Sequence, residues 1–469
     1  MSNDLMDNPI LNTDSYKASH YLQYPPLSTG LFSYIEGRGN GQRKLTFFGL
    51  QMYLMKYMTK QVTMEDINEA EEIIRGHGEP FNRAGWEYIV NKHNGYIPVR
   101  IKAVPEGLNV PTGNVLVTVE STDSEVFWVA NYIETALLRA VWYPTSVCTV
   151  SRSIKELIRR FLMETSEVCE DVLPFKLHDF GSRGVSSKES AAIGGAAHLV
   201  NFSGTDTIEG IMAARKYYDC KMAGYSIPAA EHSTITSWGR ANEAKAFSNM
   251  IQKFKRGGIV AVVSDSYNIY NACEKLWGEE LKQEVIDSGA TVVVRPDSGD
   301  PVTVVLKCVE ILADKFGYTT NIKGYKVLPQ CIRVIQGDGI NHDSIYDILS
   351  ALKREKWSVE NVGFGMGGAL LQHPNRDTYS FAMKCCAIRK DGFWQDVSKD
   401  PATDTRKKSK AGRISLYQKP DGSYVTDRIE NGECMVKAED WKEVLVPVYE
   451  DGKILKTYTL DTVRKNSNI

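Results

Sequence analysis

The 469-residue chain has room for two or three domains, each burying a core of its own. Its 56 basic and 58 acidic side chains leave a formal charge of −2, with no basic excess of the kind nucleic-acid binding needs. No apolar run approaches the roughly 18 residues of a membrane helix, so neither a nucleic acid nor a bilayer is an expected partner.

The first residues, MSNDLMDNPILNTD, are acidic and lack the basic and apolar regions of a secretory signal. The 9 cysteines include no CxxC pair, which fits reduced thiols better than a disulfide framework and leads to the expectation of a cytoplasmic protein. Residues 45–94 predict helices: Thr63 with Asp66 forms a helix start, and Ile67, Ile73, Ile74 and Trp86 recur at helical spacing. IPVRIKAV (97–104) and VLVTVE (115–120) predict strands, followed by helices at about 123–141 and 149–164.

An alternating block comes next. Seven apolar runs, FKLHDF, HLVNF, YSIP, IVAVVSD, TVVVRPD, IRVIQGD and NVGFG, each end in a polar or glycine cluster. The clusters are led by Asp179, Asp206, His232, Asp265, Asp297, Asp338 and Gly367. They recur at about 30 residues, the length of a strand, loop and returning helix in a βαβ unit. Strands buried on both faces of a parallel sheet must be almost wholly apolar, and reactive side chains then collect past their carboxyl ends. The block predicts a barrel-like parallel α/β domain and an enzyme. After Lys384 the pattern turns to β-rich segments separated by Asp-Gly at 391, 421 and 451, which predicts strands pairing with those of 97–120 in a second, mixed α+β domain. The expected organisation is 10–35 joining the barrel, 36–120 and 381–469 forming the mixed domain, 121–167 as connecting helices, and 168–380 as the catalytic barrel.

Several clusters have the chemistry of a site. In Arg295-Pro-Asp297-Ser-Gly299 a tight turn leaves a guanidinium fork suited to phosphate beside a carboxylate suited to hydroxyls or Mg²⁺; a surface ion pair is the plainer alternative. Gly337-Asp338-Gly339 and Gly365-Met-Gly-Gly368 offer backbone N–H groups to an oxyanion, or are merely loop glycines. Gly363 to Gly368 also spell GxGxxG, the basis of a rival oxidoreductase reading. His232, beside Glu231 at a strand end, is the histidine best placed for reactivity. Phe180 and Tyr16 follow carboxylates and could sandwich a flat ring, although core packing is the commoner fate of such aromatics. No HExxH or paired-Cys site is present, so oxygen-ligated Mg²⁺ is the metal to expect.

In this order, KLHDFGSRGVSS (176–187), GTDT (204–207), PAAEHSTIT (228–236), VVSDSYNIYNACEK (262–275), RPDSG (295–299), RVIQGDG (333–339) and FGMGG (364–368) resemble the nicotinamide phosphoribosyltransferases, along essentially the whole chain. The resemblance implies a type II phosphoribosyltransferase that joins nicotinamide to 5-phosphoribosyl-1-pyrophosphate, giving nicotinamide mononucleotide and pyrophosphate. It implies a homodimer with shared active sites. Phe180 and Tyr16 of the partner chain would sandwich the pyridine, Asp206 would accept from the carboxamide, and Arg183 and Arg295 would hold phosphate and the amide oxygen side. Asp297 would hold the ribose hydroxyls, and Asp265 would help position the ring and the Mg²⁺-bound pyrophosphate.

By the same resemblance Gly337, Asp338, Gly367 and Gly368 would bind ribose and its 5′-phosphate. Arg38, Arg376, Lys384, Lys399, Lys407 and Arg413 of the other subunit would surround phosphate. His232 would be phosphorylated by ATP, coupling hydrolysis to synthesis. Ala382 stands where the family pattern often has a serine, so one hydroxyl contact is missing, and Met366 stands where some relatives carry serine; both bear on the local phosphate geometry. The rival within the same fold is a nicotinate phosphoribosyltransferase, against which Asp206 argues because a carboxylate favours the neutral amide. A non-catalytic ligand-binding protein is a third reading.

Overall fold

The Val- and Ile-rich runs are strands of one parallel sheet. In the computed structural model, which describes residues 7–39, 41–255, 258–403, 408–430, 433–434 and 440–467, the strands are Leu177–Asp179 (β1), Gly204–Thr205 (β2), Ile259–Val263 (β3), Thr291–Arg295 (β4), Ile332–Gln336 (β5) and Val362–Met366 (β6). They lie in the order β2-β1-β6-β5-β4-β3, every neighbour parallel. The two edges meet through residues 225–229: parallel bridges join Gly204 to Tyr225 and Ala229 to Ala261. There Thr205 N–H donates to the Tyr225 carbonyl at 3.0 Å and Ala230 N–H to that of Ala261 at 2.9 Å. The sheet is thus curled into a barrel.

Two of the seven expected strands differ. YSIP closes the ring by isolated bridges, since Pro228 has no N–H to sustain a ladder. HLVNF is the buried end of the helix Lys188–His198 and the turn after it, with the N–H groups of Asn201 and Phe202 donating to the His198 carbonyl. A short apolar run has the same composition in either setting. The returning helices carry their own start signals. Asp300 accepts from Thr303 N–H with Pro301 in the first turn of Pro301–Phe316, and Asn341 with Ser344 forms a capping box for His342–Arg354. Phe247 stacks on Trp277 at 4.5 Å, and Trp277 Nε1 donates to Ser264 Oγ at 3.0 Å. That bond anchors the loop that presents Asp265.

The described residues fall into two compact units, one drawn from 1–149, 216–220 and 375–469, the other from 150–215 and 221–374. The second holds the parallel sheet. The first is built on an antiparallel sheet in the order Phe393–Asp396, Phe381–Lys390, Ser28–Gly37, Val115–Ser121, Val99–Ala103, Val446–Glu450, Lys453–Ile454. Its tail strand Val446–Glu450 pairs with Val99–Ala103, as the β-rich tail predicts. Asp391-Gly392 and Asp451-Gly452 turn with positive φ at both residues, the geometry of tight hairpins.

Residues 28–35, assigned from sequence to the barrel, belong to a central strand of this antiparallel sheet. Its alternation is broken by buried Ser33, which donates to Asn131, and by Glu36, which pairs with Lys410. The two helices expected at 123–141 and 149–164 are largely one, Glu134–Thr165, running through Pro144. Packing holds it there: a Cβ on Gly49 would lie 2.4 Å from Pro144 Cγ, and Thr145 Oγ1 donates to the Phe48 carbonyl.

Candidate active site

Because the strands are parallel, their carboxyl ends share one rim, and the polar clusters lie there. Phe180 follows β1, held by its N–H on the Met366 carbonyl of β6 at 2.9 Å. Its ring occupies the space above two glycines. A Cβ on Gly365 would sit 1.9 Å from Phe180 Cε2, and one on Gly337 3.1 Å from the same atom. The Arg295 guanidinium lies over the ring, 5.4 Å from its centroid, and the His178 ring is tilted against it with centroids 5.4 Å apart. An aromatic face, a cation and glycine backbones therefore converge on one place. Beneath it Asp179 is fully buried, and burial pushes its carboxyl up to about 6 against the hydrogen bond from Gly181 N–H.

Asp206, past β2, accepts on Oδ1 from His178 Nε2 at 3.1 Å and from Ser226 Oγ at 2.5 Å. Burial alone would raise its pKa. The hydrogen bonds from His178 and Ser226, with the charges of His178 and Arg295, outweigh burial and hold it below the ordinary carboxylate range. It is therefore an ionised acceptor. Arg295 and Asp297 pair at 2.7 Å, and Asp297 Oδ2 is 4.0 Å from His232 Nδ1. His232 Nε2 donates to Asp265 Oδ1 at 3.0 Å, while Asp265 Oδ2 accepts from Ser298 Oγ at 2.6 Å. The carboxylate beside His232 in sequence, Glu231, is bonded instead to Ser233. The histidine's partner lies 33 residues away.

Asp338 and Gly337 follow β5, where Gln336 Nε2 donates to the Asp338 carbonyl at 2.9 Å. Gly367 and Gly368 open the short helix Gly368–Leu371, and a Cβ on Gly184 would meet Gly368 Cα at 3.2 Å, so the two loops pack backbone to backbone. Arg183 lies in that neighbouring loop, exposed and without an ion pair among the described residues. The GxGxxG match does not have the dinucleotide-binding form. Gly363 and Gly365 lie within β6, and the four-residue helix after it is far shorter than that of a dinucleotide-binding unit.

The other compact unit contains a second group of expected site residues. Lys384 lies opposite Tyr34 in the antiparallel sheet. Its pKa is lowered first by burial and then by the charges of Arg38, Lys17 and Lys399, against the pull of Glu134. Cations crowded in this way are poised for an anion. Arg413 reaches Glu120 at 3.3 Å and lies over Trp394, while Arg376 is exposed beside Asp377. Tyr16 is 53% exposed, its ring edge-on to His20. Lys407 lies outside the described residues.

Among the described residues no three His, Cys, Asp or Glu side chains form a metal-binding group. Both oxygens of Asp265 and one of Asp297 already have partners. An Mg²⁺ ion near this rim would take most of its oxygens from a polyphosphate, which suits hard carboxylates in its outer sphere. His178, Ser226 and Ser298 were not among the expected residues. His178 carried a faint signal, alternating with Phe180 across a single strand position.

Two solved structures share this fold. Nicotinate-nucleotide pyrophosphorylase from Pyrococcus furiosus aligns with a TM-score of 0.63 at 16% identity, over 100% of this chain and 96% of that one. Human nicotinic acid phosphoribosyltransferase aligns at 0.55 and 15%, over 97% and 92%. The fold is that of the type II phosphoribosyltransferases. In sequence, residues 175–452 match the nicotinate phosphoribosyltransferase (NAPRTase) family and residues 8–101 the nicotinamide phosphoribosyltransferase N-terminal domain. The chain is 54% identical over 465 residues to the nicotinamide phosphoribosyltransferase of Xanthomonas campestris pv. campestris, covering 99% of this chain and 98% of that protein. To the nicotinamide phosphoribosyltransferase of Acinetobacter baylyi it is 31% identical, over 98% and 96%. The chain belongs to the nicotinamide phosphoribosyltransferase family. No helix among the described residues is long and apolar enough to cross a membrane.

Proposed function

We infer that this chain condenses nicotinamide with 5-phosphoribosyl-1-pyrophosphate, releasing pyrophosphate and forming nicotinamide mononucleotide for NAD salvage. The observation that carries the reading is the single rim on which Phe180, Asp206, Arg295 and Asp297 stand, an aromatic face bordered by an amide acceptor and a phosphate-binding fork.

The ring nitrogen of nicotinamide carries no proton, so the reaction needs no general base. It needs the base held in line and charge stabilised as the anomeric bond to pyrophosphate breaks. Phe180 supplies the stacking face from one side and Tyr16 of a partner chain the other. Asp206 accepts from the carboxamide, and Arg295 and Arg183 meet its oxygen side and phosphate. Asp297 holds the ribose hydroxyls; Gly337, Asp338, Gly367 and Gly368 hold the sugar and its 5′-phosphate. Arg38, Arg376, Lys384, Lys399, Lys407 and Arg413 of a second subunit neutralise phosphate in a homodimer with shared sites. Mg²⁺, when bound with pyrophosphate beside Asp265 and Asp297, neutralises leaving-group charge.

His232 is the site of ATP coupling. Asp265 holds Nε2, which leaves Nδ1 as the nucleophile toward the γ-phosphorus. The N–P bond forms as the bond to ADP breaks, and water later cleaves the phosphohistidine. A cytoplasmic location suits these soluble substrates. The decisive experiment incubates the protein with nicotinamide, phosphoribosyl pyrophosphate and Mg²⁺, with and without ATP, and follows mononucleotide and pyrophosphate. Equal or better turnover of nicotinate would favour the acid-using rival. Acid-labile phosphate on the wild type, lost in His232→Asn, supports the coupling step, and its absence removes it.

A further inference from the structure

Asp206 has one committed oxygen and one open one. Oδ1 takes both hydrogen bonds, from His178 and Ser226, while Oδ2 accepts none among the described residues on a side chain 46% exposed. The His178 ring is fixed from two sides. It borders the Phe180 ring, and the backbone of β2 lies so close that a Cβ on Gly204 would be 2.6 Å from Nδ1. Glycine at 204 thus leaves the space in which the ring packs against β2. The titratable and charged groups around the pair are Asp179, Arg295 and His198. His198 is kept neutral by burial, with its two nitrogens engaged by Ser151 Oγ and the Gly204 carbonyl.

We propose that His178 is a specificity-determining positioning residue: it turns the open oxygen of Asp206 toward the carboxamide, and its charge sets how strongly the pocket rejects a carboxylate in that place. The proposal rests on the reading of Asp206 as the amide acceptor. With a neutral imidazole the pair presents a net negative charge, which repels nicotinate and leaves the uncharged nicotinamide unaffected. When the imidazole takes a proton the pair sums to zero and the repulsion weakens. The ratio of kcat/KM for amide over acid is accordingly expected to fall as pH is lowered. Asp179 also changes charge near about pH 6, so the His178 variants, and not the wild-type profile alone, assign the effect to the imidazole.

The test measures that ratio at about pH 8 and pH 6 for the wild type, His178→Gln, His178→Phe and Asp206→Asn. The wild-type ratio is expected to fall several-fold at the lower pH. His178→Gln keeps a donor without a charge and loses the pH dependence. His178→Phe removes the donor, raising KM for nicotinamide by about tenfold with a smaller change in kcat. A ratio that collapses in Asp206→Asn but is unmoved, with its pH profile, in both His178 variants overturns the inference and spares the reading of Asp206. A ratio unmoved in Asp206→Asn overturns both. If His178→Phe does not fold, the pH profiles of the wild type and His178→Gln decide: profiles that coincide reject the proposed role of charge.

Discussion

Phe180 and Asp179 are adjacent, yet one faces ligand space and the other is sealed. Replacing Phe180 by Ala removes the stacking face and should raise KM for nicotinamide by about tenfold or more, read from steady-state kinetics. For Asp179 the consequence is stability. Unfolded, its carboxyl ionises near the ordinary value of about 4; folded, it does so at about 6. The unfolded chain thus releases the proton first. The stabilising contribution is complete below about pH 4 and is lost as pH rises through about 6. Asp179→Asn keeps the acceptor for Gly181 N–H without the buried charge. It should raise the melting temperature at pH 8, by the equivalent of about 3 kcal/mol, and leave it nearly unchanged at pH 4.

At the scale of elements, β6 serves the site through what it lacks. Gly365 has no side chain where Phe180 Cε2 would be 1.9 Å from a Cβ, so the strand and the ring share one space. Gly365→Ala must shift either the ring or β6. We expect a loss of about 1–3 kcal/mol in denaturant unfolding and a weakening of nicotinamide binding like that of Phe180→Ala. An alanine that leaves both unchanged would show the ring free to move aside. The long helix through Pro144 makes the complementary point: local propensity breaks a helix at proline, and packing against Gly49 and Phe48 sustains this one.

At the scale of the molecule, Tyr16, Arg38, Lys384, Lys399 and Arg413 belong to one compact unit and Phe180, Asp206, Arg295 and Asp297 to the other. If each site draws the first group from a second copy, two variants impaired at low nicotinamide concentration can complement each other. Phe180→Ala mixed with an equal amount of Lys384→Ala and allowed to exchange subunits should recover about a quarter of wild-type activity, because half the dimers are mixed and each holds one intact site. No recovery, with subunit exchange verified by mass, would confine each site to a single chain.

The apolar runs and their polar ends were legible in sequence because a strand buried on both faces has no room for polar side chains before its end. That rule determined the parallel sheet, its rim, and the candidacy of Phe180, Asp206, Asp265, Arg295 and Asp297. What the rule does not contain is strand order. Only the folding of β2 beside β1 gave Asp206 the partner His178, and only the loops after β3 and β4 brought Asp265 and Ser298 together beside His232. Gly365, in a run whose motif suited either an oxyanion or plain loop geometry, yields its space to an aromatic ring. Periodicity records which face of a strand is buried; which residue meets which is decided by contacts between segments far apart in the chain.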